Sequence, residues 1–482
     1  IFIKVYLEGE FPSEFKYLQS EVLNLITRFR SISGKNIDFE FINPNNTTNE
    51  KERTDLFKQL VKDGLAPTDI EIRSAASKSN QIIFPGALIF YKDKKQSVNF
   101  LKNSISKRPG ENINTSVESL EYEFISAIYH LTKDKIENIA FLEGNGQLSS
   151  AEVYDLVESV LQDNNRLSYH YNVERFNIKE FEINDFTQDA DISKKMSDIM
   201  QYKTLVIAKP TTAFNMLEKF ILDQYIMNGG KILWLIDGVN ANMDSLRSKS
   251  SFIAVKNNLN LDDQLFKYGV RINSNLIEDL RSIQIPIITG YSNKIPQQSY
   301  FPWPYYPLLF SKIEHPISKG LDEIKCAFVS SIDTINNSIK KSILLTSSKQ
   351  SRTITTPSKI SLNILQNPPP PNTYNKNHIP IAVLLEGKFE SVFKNRILPK
   401  KDLKFKERST LTQMIVVADG DIAKNMTSEN GNIFPLGYDR FIKYTYSGNK
   451  RFIMNAIHYL CDDIGLTKLK SKEIKLRLLD KN

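Results

Sequence analysis

The chain has 482 residues, of which 41% are hydrophobic and 24% charged, and 63 bases against 55 acids give a formal net charge of +8. That length calls for two or three domains, because one core rarely grows past roughly 250–300 residues, and the composition excludes a disordered or collagen-like chain. The longest apolar runs are strand-length, short of the roughly 18–20 residues of a membrane span, so no span is expected within the chain.

The excess charge is concentrated at the end. There Lys468, Lys470, Lys472, Lys475, Arg477 and Lys481 face only Glu473 and Asp480. The rest is close to neutral, which argues against nucleic acid as a partner and leaves a solvated or membrane-surface tail. The first residue is Ile1 rather than Met, which suggests an excised or processed piece with room for anchors outside both ends. Cys326 and Cys461 stand in apolar surroundings without a CxxC or metal-ligand neighbour, so buried free thiols are expected.

The first third reads strand, helix, strand, helix, hairpin. Ile3 to Leu7 alternates as a half-buried strand, and Pro12 opens a helix with Phe15, Leu18, Val22, Leu25, Ile26 and Phe29 on one face. A strand over Ile37 to Phe41, a helix over Glu50 to Lys62 and a hairpin of Gln81 to Tyr91 with Gln96 to Leu101 follow. This order suggests a thioredoxin-like domain over residues 1–110, with a cis bond expected at Phe84-Pro85. It has no cysteine, so redox chemistry is excluded. A helix over residues 111–135 connects it to the remainder.

From residue 136 the pattern is α/β. Buried-type strands are expected at Ile139 to Leu142, Thr204 to Ala208, Ile232 to Ile236, Ile381 to Leu385 and Met414 to Ala418, and a capping box, Ser149-Ser150-Ala151-Glu152, opens a helix after the first. Further helices are expected from Phe214 to Met227 and from Lys450 to about Asp462. Short crossovers of this kind close as a right-handed, mostly parallel, doubly wound sheet, so residues 136–465 form one domain interrupted by an irregular insertion at about 290–378. Residues 466–482 form the basic tail.

Four of these strands run into an acid followed at once by glycine: Glu143, Asp237, Glu386 and Asp419. Ligands of open α/β sheets bind beyond the carboxyl ends of the strands. These acids, with Asn145 in the first turn and Asp421 beside the last, read either as a set converging on a polyhydroxylated ligand or hard cation, or as solvated acids that merely end strands. The turn Glu143-Gly144-Asn145-Gly146 lacks the third glycine of a dinucleotide fingerprint, no phosphate loop of the Walker A kind occurs, and no nucleophile elbow or paired histidine is found. No catalytic residue, cofactor or metal is therefore expected. Trp303, Tyr305 and Tyr306, within a run of eight aromatics and prolines from Tyr300 to Pro307, either pack over the sheet or present a surface to a partner.

Several strings carry a resemblance. Gln298 to Leu309 (QSYFPWPYYPLL), Lys341 to Ser348 (KSILLTSS), Leu384 to Arg396 (LLEGKFESVFKNR), Lys470 to Lys481 (KSKEIKLRLLDK) and the opening Val5 to Pro12 are similar to GldG, the family of gliding-motility-associated ABC-transporter auxiliary subunits of Bacteroidetes. The resemblance implies a periplasmic region between two membrane helices that lie outside this chain, a permease partner with a separate ATPase, and a middle domain similar to glutamine amidotransferases without their catalytic cysteine. Self-association stays open. A non-enzymatic docking subunit is the first expectation, a carbohydrate- or peptide-binding receptor using the acidic crevice the alternative, and a divergent hydrolase the third.

Overall fold

The computed structural model describes residues 1–47, 49–73, 78–101, 109–133, 136–160, 166–180, 192–311, 314–399 and 405–471. Two compact units emerge: Ile1–Ile136 with Leu161–Asn164 and Asp462–Asn482, and Glu137–Val160 with Asn165–Cys461. Among the described residues no helix is long and apolar enough to cross a membrane.

In the first unit, β1 (Phe2–Val5) buries Ile3 and Val5 on alternate positions, as its sequence period of two dictates. Helix α1 (Ser13–Ile32) buries Leu18, Val22, Leu25, Ile26 and Phe29. After β2 (Asp38–Phe41) comes α2 (Glu50–Lys62), whose first turn is capped by the Asn49 side chain accepting from the backbone N–H groups of Lys51 and Glu52. The hairpin β3 (Thr68–Arg73) and β4 (Lys78–Ile83) pairs with itself, and β5 (Gly86–Tyr91) and β6 (Lys94–Asn99) join the main sheet in the order β2-β1-β5-β6. β1 and β2 are parallel, and β5 is antiparallel to both β1 and β6. Helix α3 (Pro109–Thr132) closes the core, Phe124 meeting Phe29 and Phe100.

The strand read from Gln81 to Tyr91 is broken at Phe84-Pro85 into β4 and β5, since proline cannot donate to a ladder. The bond before Pro85 is trans, the cis bond among the described residues being Thr356-Pro357.

The second unit is built on a seven-stranded sheet. Its strands are β7 (Asn138–Glu143), β8 (Asn172–Asn177), β9 (Thr204–Ala208), β10 (Lys231–Leu235) and, after the long hairpin β11 (Ser282–Ser292) and β12 (Ile295–Leu309), β13 (Lys340–Thr346), β14 (Pro380–Gly387) and β15 (Thr412–Val417). The order is β13-β14-β15-β10-β9-β7-β8. Strands β8, β7, β9, β10 and β15 are mutually parallel, and β14 runs against β15. Alternate residues feed two apolar layers: Ile139, Phe141, Leu233 and Leu235 pack on one side, with Phe452, Ile453 and Ile457 of helix α6 (Gly448–Cys461), and Ala140, Leu142, Ile232 and Trp234 on the other, with Ile221, Tyr225 and Ile226 of α4 (Met216–Met227). Helix α4 starts at a capping box in which Asn215 and Glu218 satisfy each other's backbone N–H groups. A short α5 (Asp262–Tyr268) precedes the hairpin.

The antiparallel course of β14 overturns one expectation. Glu386 pairs in register with Gln413 at the start of β15, so it lies at the opposite edge of the sheet from Asp237 and Asp419. The stretch expected to be irregular, 290–378, holds most of the hairpin and strand β13. Of the basic tail, Leu466–Ser471 forms a turn of 3₁₀ helix and residues 472–482 lie outside the described residues.

Candidate functional site

The sheet reverses its winding between β7 and β9, because β8 lies on one side of β7 and β9, β10 and β15 follow on the other. Such a reversal opens the crevice where doubly wound folds place their ligands. Here the two loops over that crevice are bonded to each other. The Asn145 carbonyl accepts from the N–H groups of Thr211 (2.8 Å) and Thr212 (3.0 Å), Leu148 N donates to Ala208 O at 3.0 Å, and Thr211 Oγ1 donates to Gly146 O at 3.1 Å. The Asn145 side chain is fully buried and donates to Ala213 O and to Glu218 Oε2. Asn145 thus acts as a pin between loops. Glu143, at the end of β7, is held by Arg175 Nε of β8 at 2.6 Å.

Charge gathers one step along the same edge, at the ends of β9, β10 and β15. Asp237, Asp419 and Asp421 bring carboxylate oxygens within 4.8 Å of one another. The residue that follows β9 is Lys209, whose Nζ lies 3.2 Å from Asp237 Oδ2 and 2.5 Å from Asp421 Oδ2. Burial works against the Lys209 charge, but Asp421 and then Asp237 outweigh it and hold the ammonium above the ordinary lysine range. Lys209 takes a left-handed backbone, φ +53°, an uncommon conformation for a residue with a Cβ. Its stem lies against Gly420, where a Cβ would come within 2.7 Å of the Lys209 Cβ and Cγ. The Gly420 N–H donates to Asp237 Oδ1 at 2.5 Å, so the glycine after Asp419 is required by close approach.

Asp419 is fully buried. Its Oδ1 accepts from Asp421 N at 2.8 Å and its Oδ2 from Ala327 N at 3.1 Å. Burial, then the neighbouring charges of Asp421 and Asp237, push its carboxyl up to about 8, while the Cys326 thiol and Lys209 pull the other way. Asp237 is raised too, chiefly by burial, with Lys209 opposing. Burial and the facing Asp419 drive the Cys326 thiol well above its ordinary range. Since the thiolate is the nucleophile, this environment suppresses thiol attack near neutrality. The arrangement can hold a proton on Asp419 and a cation between Asp237 and Asp421, a place that the Lys209 ammonium takes.

Of the residues singled out in the sequence, Asp237, Asp419 and Asp421 come together. Glu143 and Asn145 sit beyond β9, and Glu386 is bound at the far edge by Lys340 Nζ (2.8 Å) and Tyr459 Oη (2.9 Å). Burial opposes the Glu386 charge, yet these partners keep its carboxyl below the ordinary range. Trp303 and Tyr305 are buried in an apolar cluster with Phe328, Leu276 and Ile360, and Tyr306 is half-buried against the same cluster, so Trp303 and Tyr305 pack inside the unit and do not present a surface to a partner. Lys209 lacks the acid–glycine signal of its partners, and what marks it in the sequence is a charge placed directly after the buried strand β9.

Residues 137–456 match the family described as "ABC-type uncharacterized transport system", well over half of the chain. The chain belongs to this family of ABC-transport auxiliary proteins. Residues 1–90 match a domain of unknown function. No curated protein matches the sequence. Among solved structures the chain is similar to the "mmIFT52 N-terminal domain", 12% identical over 68% of this chain and 99% of that one, at a TM-score of 0.36. The family membership gives the chain a role in an ABC transport system.

Proposed function

We propose that this family member is the non-catalytic, periplasmic part of a membrane-anchored auxiliary subunit of the gliding-motility type, which acts by docking the permease and, through it, a separate ATPase. The observation that carries this reading is the closure of the strand-end edge: Asn145 pins the crevice loops together, Lys209 fills the acid cluster, and Cys326 is held protonated. A scaffold so closed serves by its surface. Two fold assignments go with the proposal. The order β2-β1-β5-β6, with β1 and β2 parallel and the β5/β6 hairpin on the other side of β1, supports a thioredoxin-like first unit. The order β8-β7-β9-β10-β15, parallel throughout, is the 2-1-3-4-5 winding of flavodoxin-like folds and supports an amidotransferase-like second unit.

Affinity purification of the full-length protein from membranes tests the function: a permease subunit is expected in the eluate, and its absence under conditions that retain other membrane complexes refutes the docking role. Protease digestion of spheroplasts tests the location, with cleavage from outside expected.

The second reading, a receptor for a cation or a polyhydroxylated ligand, rests on the three convergent carboxylates. Calcium or sugars that raise the unfolding temperature of the wild type, and fail to do so in Asp237→Asn, would favour it over docking.

A further inference from the structure

The hairpin of β11 and β12 is core at its base and apolar in water at its tip. At the base, Ile283, Ile285, Trp303 and Tyr305 are buried. Beyond the pair Ile285↔Phe301, the strands run on through Pro286↔Tyr300, Ile288↔Gln298 and Tyr291↔Pro296 to Ser292↔Ile295, roughly 23 Å of ribbon at about 3.3 Å per residue. A third strand, Ile324–Lys325, reaches only Leu308 and Leu309. Asn293 and Lys294, at φ +49° and +66°, make the two-residue turn that matches the twist of such a ribbon.

Large apolar side chains are exposed along it: Tyr291 at 71%, Ile295 at 68%, Ile288 at 51% and Tyr300 at 46%. Directly paired residues share a face, and the register shift between Ile288 and Gly290 returns Tyr291 to the face of Ile288 and Tyr300. Ile295 falls on the other face. The tip is therefore apolar on both sides, with Lys294 in the turn between. No acid occurs between Asp279 and Glu314, a stretch that carries Arg281, Lys294 and Lys312. Pro286, Pro296 and Pro302 remove backbone donors from the ribbon, which blunts its edges against an added strand. What the tip offers to a partner is its side chains.

We propose that this tip inserts into the headgroup region of an anionic phospholipid bilayer, Tyr291 and Ile295 entering on either side while Lys294 meets the lipid phosphates. A protein groove takes one face of a ribbon, whereas a fluid interface takes both. Tyrosine at headgroup level, aliphatic side chains just below and a lysine in an acid-free stretch of sequence form the set that such an interface favours. The inference rests on the reading of the chain as part of a membrane-bound subunit, and gives that subunit a lipid contact separate from its anchors.

The test is cosedimentation of the whole chain with vesicles of phosphatidylcholine, alone and mixed with phosphatidylglycerol. Binding to the mixed vesicles is expected, and it falls about tenfold, about 1.4 kcal/mol, in the double variant Tyr291→Ser/Ile295→Ser. A variant with the bases of 468–481 changed to glutamine keeps the hairpin-dependent part, and Lys294→Gln weakens binding only where phosphatidylglycerol is present. Because both tip side chains are exposed, the double variant unfolds at the wild-type temperature. Absent cosedimentation, or a double variant that binds like the wild type, overturns the proposal. So does loss of permease co-purification in the double variant without any vesicle binding, which makes the tip a protein contact and leaves the docking function standing. Vesicle binding without permease co-purification from membranes supports the insertion and refutes docking.

Discussion

Asp419→Asn isolates one buried ionisation. In the folded protein this carboxyl titrates near 8 rather than at its ordinary 3.8, so between about pH 4 and pH 8 the folded chain keeps a proton that the unfolded chain has lost. Stability that is fully present below the unfolded pKa is then lost as pH rises through the folded one. Four units at 1.36 kcal/mol each set a ceiling of about 5 kcal/mol, and relaxation of the site with water entry reduces the expected loss to about 2–3 kcal/mol. Asparagine has the same shape and cannot ionise, but its amide serves only one of the donors Asp421 N and Ala327 N, at a cost of about 1–2 kcal/mol. The variant should thus be less stable than the wild type at about pH 3, below the unfolded pKa, about equal to it near pH 5, and more stable at about pH 9. Urea unfolding followed by tryptophan fluorescence reads this cleanly, because the chain has two tryptophans, Trp234 and Trp303, both in the second unit. A difference between variant and wild type that stays constant from acid to alkaline pH would refute the protonated state of Asp419.

The remaining predictions concern the same edge and the core behind it. Lys209→Met leaves Asp237 and Asp421 without their cation and should cost about 2–3 kcal/mol in urea unfolding, less than a fully buried pair loses because the lysine is 19% exposed. A cost under about 0.5 kcal/mol would place the ammonium among ordinary surface pairs. Trp303→Ala empties a fully buried site and should cost about 3–5 kcal/mol, read through the fluorescence of Trp234. Cys326 and Cys461 are buried, with the Cys461 thiol pushed up to about 11 by burial; both should resist iodoacetamide in the native protein near neutral pH and react only after unfolding. Rapid alkylation of native Cys326 would revive a thiol-based activity.

Much of the fold was legible because local patterns suffice for elements. The helical spacing of Leu18, Val22, Leu25 and Ile26 gives α1 its buried stripe, and the uninterrupted apolar run Leu205-Val206-Ile207 marks a strand covered on both faces. The hairpin was the hard case. Its second strand is studded with prolines at 296, 302, 304 and 307, residues that speak against a strand wherever a ladder needs each N–H. They are tolerated here because the ribbon leaves one edge of that strand unpaired over most of its length, so a missing donor on that side costs nothing. Proline content alone cannot distinguish such an edge from an irregular loop.

The site divides in the same way. A buried strand that ends in an acid and a glycine can be read from a few consecutive residues, but the direction in which that strand runs through the sheet depends on where its neighbours were laid down. Asp237 and Asp419 meet because β10 and β15 are parallel neighbours, with Ile232 opposite Met414 and Leu235 opposite Val417; Glu386 carries the same local signal and arrives at the opposite edge because β14 turns back from β13. Lys209 escaped for a complementary reason. It is followed by proline rather than glycine and bears the opposite charge, so it broke the pattern while completing the cluster. Three carboxylates gathered in a partly dry place must acquire a cation or a proton, and this chain supplies both, the lysine to Asp237 and Asp421 and the proton to Asp419.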